Sequence, residues 1–176
     1  MTENCLDKGG DLSAFAGADE TPLVTFALLT YNQERFIAEA LKGALAQDYE
    51  SLQIILSDDA STDATHCIMQ REVDRYRGRH AITLNRNDEN VGIGEHVNRV
   101  MALAKGEIIV VAAGDDVSLP KRVRTLVNSF REARRPTYSV WSSAEYIDDA
   151  GRTLDREIPG RDRHFTERSI IRNKRQ

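Results

Sequence analysis

The stretch LQIILSDDASTDAT, residues 52–65, decides the fold. Leu52 to Leu56 is a short, nearly all-apolar run, the pattern of a strand covered on both faces of a parallel sheet. Two adjacent carboxylates, Asp58 and Asp59, come next, followed by small residues that open a helix near Ser61 or Thr62. Ile68, Met69, Val73 and Tyr76 repeat at helical spacing and give that helix its inner face. Strand, polar cluster and helix make one βα unit. Side-by-side acids at a strand end are costly unless a cation or hydrogen-bond donors neutralise them. The doublet therefore either caps the following helix together with Ser61 and Thr62, or faces a ligand.

The same unit recurs on both sides. Leu23 to Thr30 reads as a buried strand ending at Tyr31 and Asn32. Asn32 is expected to cap a helix carrying Phe36, Ile37, Ala40, Leu41, Ala44 and Leu45 on one stripe and stopping near Gln47 and Asp48. Downstream, Ala81 to Leu84 is a shorter strand, Gly92 and Gly94 mark a turn, and Val97, Val100, Met101 and Ala104 form the apolar side of a helix that Gly106 stops. The most apolar run, Glu107 to Ala113, ends in Gly114, Asp115 and Asp116. Ser118 and Pro120 then open a helix with Val123, Leu126, Val127 and Phe130 inward.

Four alternations of strand and helix predict an α/β fold. The sheet is Rossmann-like and mostly parallel, with right-handed crossovers and helices on both faces. Beyond Pro136, YSVWSS reads as a further strand with Trp141 in the core, and EYIDDAGRTL as a hairpin turning at Asp149, Ala150 and Gly151. No strong periodicity is visible from Pro159 onward.

With 176 residues, 40% of them hydrophobic and 30% charged, the chain suits one domain with a real core. A formal net charge of −4 argues against coating nucleic acid. Arg152, Arg156, Arg161, Arg163, Arg168, Arg172, Lys174 and Arg175 make the C-terminal stretch basic. It reads as a solvated tail, with peripheral contact to an anionic membrane as the alternative. Cys5 and Cys67 have neither metal nor redox spacing. No apolar run reaches membrane-spanning length, and the first residues carry acids where a secretory signal carries bases, so a cytoplasmic setting is expected.

Three polar clusters follow three buried strands: Thr30 to Asn32, Asp58 with Asp59, and Asp115 with Asp116. In an open parallel sheet the ligand crevice lies outside the carboxyl ends of the strands, so all three belong on one edge. One acid pair suits hydrogen bonds to a heterocycle and ribose. The other suits Mg²⁺ or Mn²⁺ completed by diphosphate oxygens. The plainer readings are that Asp115 and Asp116 begin an ordinary loop and that Gly92 and Gly94 only mark a turn. His66, His80, His96 and His164 show no metal spacing and read as surface or satisfied residues. Glu145, Asp148 and Asp149 read as turn and strand-edge acids.

In order and at similar spacing, TYN, SDDAST, NVGIGEHVN and AKGEIIVVAAGDD resemble the motifs of family 2 glycosyltransferases of the GT-A fold, over Pro22 to Tyr146. The resemblance implies that Leu29, Thr30, Tyr31 and Glu34 line a nucleotide pocket, with Tyr31 near the base. It implies that Asp59 accepts a hydrogen bond from the ring nitrogen of a uracil or related base, and that Asp58 supports the loop. Asp116 would hold a divalent cation, Mg or Mn, with Asp115 at the ribose or sharing the metal. Asn90, Gly92 and Asn98 would shape the wall beside sugar and diphosphate. The sequence departs from the family pattern at Val97, where many relatives carry a basic residue. Lys121 and Arg122 are then candidate helpers, although a solvated helix start is the plainer reading of both.

The donor implied is a UDP-, dTDP- or GDP-sugar, and the acceptor a glycan or lipid-linked molecule, with inversion favoured. The family's general base lies in a later segment, and no counterpart is recognisable before Gln176. The expected organisation is a lead-in over 1–21, a nucleotide-sugar-binding domain over 22–146, and over 147–176 the start of an acceptor-side region or a disordered tail. Two rivals stand beside this: a non-catalytic nucleotide-sugar-binding module, and a receiver-type signalling domain. The second rival wants an acid pair after the first strand, where TYN stands.

Overall fold

A computed structural model of the chain describes residues 21–133, 137–154 and 168–172, the last segment as backbone. Four strands, β1 (Val24–Thr30), β2 (Leu52–Asp58), β3 (Ala81–Arg86) and β4 (Ile108–Ala113), form a wholly parallel sheet in the order β3-β2-β1-β4. Four helices alternate with and follow them: α1 (Ile37–Leu45), α2 (Thr65–Arg75), α3 (Gly92–Leu103) and α4 (Arg122–Glu132).

The chain first steps outward from β1 to β2 to β3, then returns past β1 to place β4 on its other side. Right-handed crossovers in opposite directions put their helices on opposite faces. Val24, Phe26 and Leu28 accordingly pack with residues of α1, α2 and α4 in the larger core, while Ala27, Leu29 and Ile55 pack with Val97 and Val100 of α3 on the other face. Period-2 alternation along β1 feeds both cores. Phe26 is fully buried, and its truncation to Ala would cost about 3–5 kcal/mol.

Gly106 does more than stop a helix. A Cβ there would sit 2.4 Å from the Thr25 backbone nitrogen, so only glycine lets the segment entering β4 lie against β1. Its N–H also donates to Thr25 Oγ1 at 2.9 Å.

Past α4 the structure departs from expectation. Of YSVWSS only Ser143 enters a strand, and Trp141 is 64% exposed instead of buried. The strand is β5 (Ser143–Ile147), followed by the short β6 (Thr153–Leu154) across a turn in which Gly151 adopts φ 77°. The hairpin reading thus holds, with the turn at the expected residues. A further strand, β7 (Arg168–Arg172), pairs in parallel with β5 and gives the sheet order β6-β5-β7. It lies where no periodicity was visible. Residues 1–20 of the lead-in over 1–21, His164 and most of the basic stretch lie outside the described residues.

Candidate nucleotide-binding site

The strand order reverses between β1 and β4, the point at which an open α/β sheet leaves a crevice beyond its strand ends. A cavity of about 300 Å³ lies there. Its walls are Leu29, Thr30 and Tyr31 at the end of β1, Asp59 beyond β2, Val111 to Ala113 at the end of β4, and Gly92, Ile93, His96 and Val97 on the first turns of α3, with Gln33 and Asn90 completing it. Register fixes this convergence. Thr30 pairs with Asp58 and Leu29 with Ala113, so both acid doublets flank the same end of β1, two strand spacings or roughly 10 Å apart.

The two members of the first doublet are held differently. Asp58 is fully buried and accepts the Ser61 N–H at 3.2 Å and the Ser61 hydroxyl, with Arg86 Nε 3.4 Å and His66 Nδ1 3.8 Å away. Asp59, 3% exposed, accepts Asn87 Nδ2 at 2.7 Å and the Val91 N–H at 3.1 Å on Oδ1, and the Gly92 N–H at 3.0 Å on Oδ2. Neither caps the helix that follows it in sequence. Glu34 and Asp63 take the Ala64 and Thr65 N–H groups at the start of α2, each at 2.9 Å. Asp59 instead secures the start of α3, a helix contributed by a later part of the chain, where a negative charge also suits the helix dipole. Burial pushes the Asp59 carboxyl upward, but the bonds from Asn87, Val91 and Gly92 and the charge of His96 outweigh it and leave the pKa below its ordinary value.

Asn32 does not cap α1. It adopts φ 51°, donates its N–H to Ser61 Oγ at 2.8 Å and accepts the Thr62 N–H at 2.8 Å. With Gln33 N–H donating to Thr65 Oγ1 at 2.7 Å, the loops after β1 and β2 are tied together. Gly114 makes the corresponding tie to β4. Its N–H reaches the Leu29 carbonyl at 2.8 Å, and a Cβ would lie 2.8 Å from Thr30 Cβ.

Of the residues expected at a nucleotide site, Leu29, Thr30, Tyr31, Asp59, Asn90 and Gly92 line the cavity. Glu34, exposed, and Asp58, buried, are not in the lining and accept the Ala64 and Ser61 N–H groups instead. Asn98 is on the exposed side of α3, 3.4 Å from Glu95, and does not line the cavity. Asp115 and Asp116 are half-buried just beyond the β4 wall, in a turn closed by the Asp116 N–H to the Ala113 carbonyl at 3.1 Å.

Arg122 is no solvated helix start. It donates to Ser118 Oγ at 3.1 Å, Ser142 Oγ at 3.3 Å and the Val111 carbonyl at 3.0 Å, and feels the charge of Asp116. Lys121 is exposed.

His96 is an unforeseen member of the cavity lining, and Asn87, outside that lining, is an unforeseen donor to Asp59. His96 is 2% exposed, with Nε2 2.7 Å from Ser57 Oγ. It is satisfied, as expected, but it also lines the cavity. Its place was legible as the residue four beyond Gly92, on the same helical face. His80 meets the Gln47 carbonyl at 2.9 Å.

Among the described residues no three His, Cys, Asp or Glu side chains gather into a metal cage. Two neighbouring carboxylates are nonetheless the donor set that suits Mg²⁺ or Mn²⁺ when diphosphate oxygens and water supply the remainder. No helix among the described residues is long and apolar enough to cross a membrane.

A parallel sheet of order β3-β2-β1-β4, cored on both faces and open at its switch point, with aspartate doublets beyond β2 and β4, is a GT-A-type α/β domain. The chain belongs to Glycosyl transferase family 2, whose pattern matches residues 25–175. Among its relatives, EpsE of Bacillus subtilis, named as a glycosyltransferase, is 33% identical over 78% of this chain and 49% of its own length. The succinoglycan biosynthesis protein ExoO of Rhizobium meliloti is 32% identical over 62% of this chain and 30% of its own.

A mannosyltransferase of Pyrobaculum calidifontis, solved with GDP-Man and Mn²⁺, superposes with a TM-score of 0.58 at 28% identity, covering 74% of this chain and 36% of that one. Staphylococcus aureus TarS, solved with UDP-GlcNAc, shares the fold at a TM-score of 0.56 and 23% identity, over 76% of this chain and 37% of that one. The chain thus spans half or less of the length of these relatives. Family membership sets aside the receiver-type reading.

Proposed function

We propose that this chain forms the donor-binding part of a glycosyltransferase that moves a sugar from a nucleoside diphosphate to a glycan or lipid-linked acceptor in polysaccharide biosynthesis, at the cytoplasmic face of the cell. The observation that carries the reading is the cavity at the β1/β4 switch point, with the Asp59 carboxylate in its wall and Asp115 and Asp116 just beyond it.

The residues divide the work by chemistry. Asp59 is a fixed acceptor for a ring N–H, and Tyr31, 44% exposed at the cavity, offers a face for the base. Asn90 and Gly92, at the amino end of α3, would shape the wall beside the sugar and diphosphate. Asp115 and Asp116 would hold Mg²⁺ or Mn²⁺, with Asp116 the principal ligand. When bound, the ion stabilises negative charge on the leaving diphosphate. The guanidinium of Arg122 beside Asp116 partly offsets the doublet's negative charge in the ion's absence. The reaction class is displacement at the anomeric carbon with inversion, the acceptor hydroxyl being deprotonated by a carboxylate outside the residues assigned here.

Calorimetric titration of UDP, dTDP and GDP with and without Mn²⁺ tests the reading. Metal-dependent binding that Asp116→Ala abolishes is expected. Equal binding by that variant removes the metal assignment, and no binding of any nucleotide by the native chain removes the function.

A further inference from the structure

A line of hydrogen bonds runs from Asp59 behind the cavity wall and returns to it at His96. Asn87 Nδ2 donates to Asp59 Oδ1 at 2.7 Å, Asn85 Nδ2 lies 3.5 Å from Asn87 Oδ1 and 3.0 Å from Ser57 Oγ, and Ser57 Oγ lies 2.7 Å from His96 Nε2. Each link has a direction. An ionised carboxylate only accepts, so Asn87 turns its amide nitrogen to Asp59 and its oxygen to Asn85. Asn85 then presents nitrogen to both Asn87 and Ser57. Ser57, fully buried and accepting from Asn85, keeps its own proton, which it can give to His96 Nε2 at 2.7 Å. That direction goes with the tautomer protonated on Nδ1. Burial lowers its pKa, against the pull of Asp59 and Asp58 and with help from Arg99, so the neutral ring that tautomerism requires is favoured.

Resting on the donor-binding reading above, we infer that His96 is a base-specificity residue, its Nδ1–H donating to a carbonyl that adjoins the ring N–H accepted by Asp59. Gly92, whose N–H is bound to Asp59 Oδ2, precedes His96 by four residues. Four residues advance an α-helix by about 6 Å along one face, so acceptor and donor stand side by side in the wall. Asp59 Oδ2 takes one N–H bond and keeps a lone pair for an occupant. An acceptor beside a donor matches a ring N–H beside a carbonyl, the edge that uracil, thymine and guanine share. Cytosine and adenine reverse it. Their unprotonated ring nitrogen would meet the carboxylate, and their amino group would meet the histidine N–H.

The test compares UDP, GDP and CDP binding with Mg²⁺ present, in the native chain, His96→Leu and His96→Gln. The native chain should prefer UDP or GDP to CDP by about tenfold or more, the scale of one mispaired buried polar contact. His96→Leu should lose most of that ratio while still binding the diphosphates, and His96→Gln, which keeps a donor, should restore part of it. A uniform loss of affinity for all three nucleotides would mark a structural role and overturn the inference. So would a ratio unchanged in His96→Leu but lowered by Asp59→Ala, which would leave the donor site standing. Failure of the native chain to bind any of them would overturn both. Nitrogen-15 spectra of the native imidazole provide a check free of substitutions: Nδ1 should carry the proton before ligand is added, and an Nε2-protonated ring sinks the proposal.

Discussion

The carboxylate of Asp59 and the backbone N–H of Gly92 meet at 3.0 Å, joining the end of β2 to the first residue of α3 in the wall of the cavity. The contact gives one side chain two tasks, holding a helix in place and presenting an acceptor to whatever enters. A substitution there should move stability and binding together.

Asp59→Ala would strand Asn87 Nδ2 and the Val91 N–H and leave the exposed Gly92 N–H with only the Asn90 side-chain oxygen at 3.0 Å. Buried donors left without a partner cost about 1–3 kcal/mol each, partly recovered by water. A loss of about 3 kcal/mol in urea unfolding is expected, with Asp59→Asn in between. A change under about 1 kcal/mol would show that the three bonds do not secure α3.

Acid should weaken the fold in two stages. Burial holds His96 below the ordinary imidazole value of 6.5. The unfolded chain therefore takes up a proton before the folded one does, and stability falls as pH drops below that value. Asp59 lies below the ordinary carboxyl value of 3.8: burial raises it, and its hydrogen bonds lower it by more. Its contribution is complete above that value and is lost as pH falls below it, through the lower value of the folded chain. Both groups act with the same sign. Urea unfolding across about pH 5 to 7.5 should show the upper stage, and His96→Gln should flatten it. Stability that rises on acidification over this range would contradict the assignment.

Gly114→Ala and Gly106→Ala separate two kinds of crowding. At 114 the new methyl meets Gln33 Oε1 at 2.3 Å, a flexible tip, but also Thr30 Cβ at 2.8 Å. At 106 it meets backbone, Thr25 nitrogen and Val24 carbonyl carbon at 2.4 and 2.6 Å. Overpacking costs of about 1–3 kcal/mol are expected, larger at 106 because strand backbone cannot rotate aside. Thermal unfolding of the two variants gives the ranking, and equal midpoints would refute it.

Arg122→Lys should cost about 1–2 kcal/mol despite keeping the charge, because one ammonium cannot span Ser118, Ser142 and the Val111 carbonyl. Denaturant midpoints measure this. A neutral result would mean that these contacts are incidental to the fold.

The alternating pattern of apolar runs and helical stripes was sufficient for the parallel sheet, because a strand covered on both faces must be apolar at nearly every position, as VTFALLT and LQIIL are. It also located the acid doublets, since polar residues directly after such strands can lie only at strand ends. The alternation stopped being informative past α4. Trp141 looked like core because it is large and apolar, yet the covering that would bury it depends on segments distant in the chain. The strand pairing of β7 with β5 is likewise a long-range choice that leaves no local period.

The partner of each aspartate was decided by tertiary structure alone. Sequence offered Ser61 and Thr62 as neighbours for both Asp58 and Asp59, and only Asp58 uses Ser61. Asp59 lies one peptide further, past the end of β2 and beside Ala60, which has a left-handed φ of 58°. It reaches Asn87, Val91 and Gly92 instead, some thirty residues away. Local spacing fixes which face of a strand or helix a side chain occupies. Which distant backbone groups complete its hydrogen bonds depends on strand order, and that is set when the crossovers close the sheet.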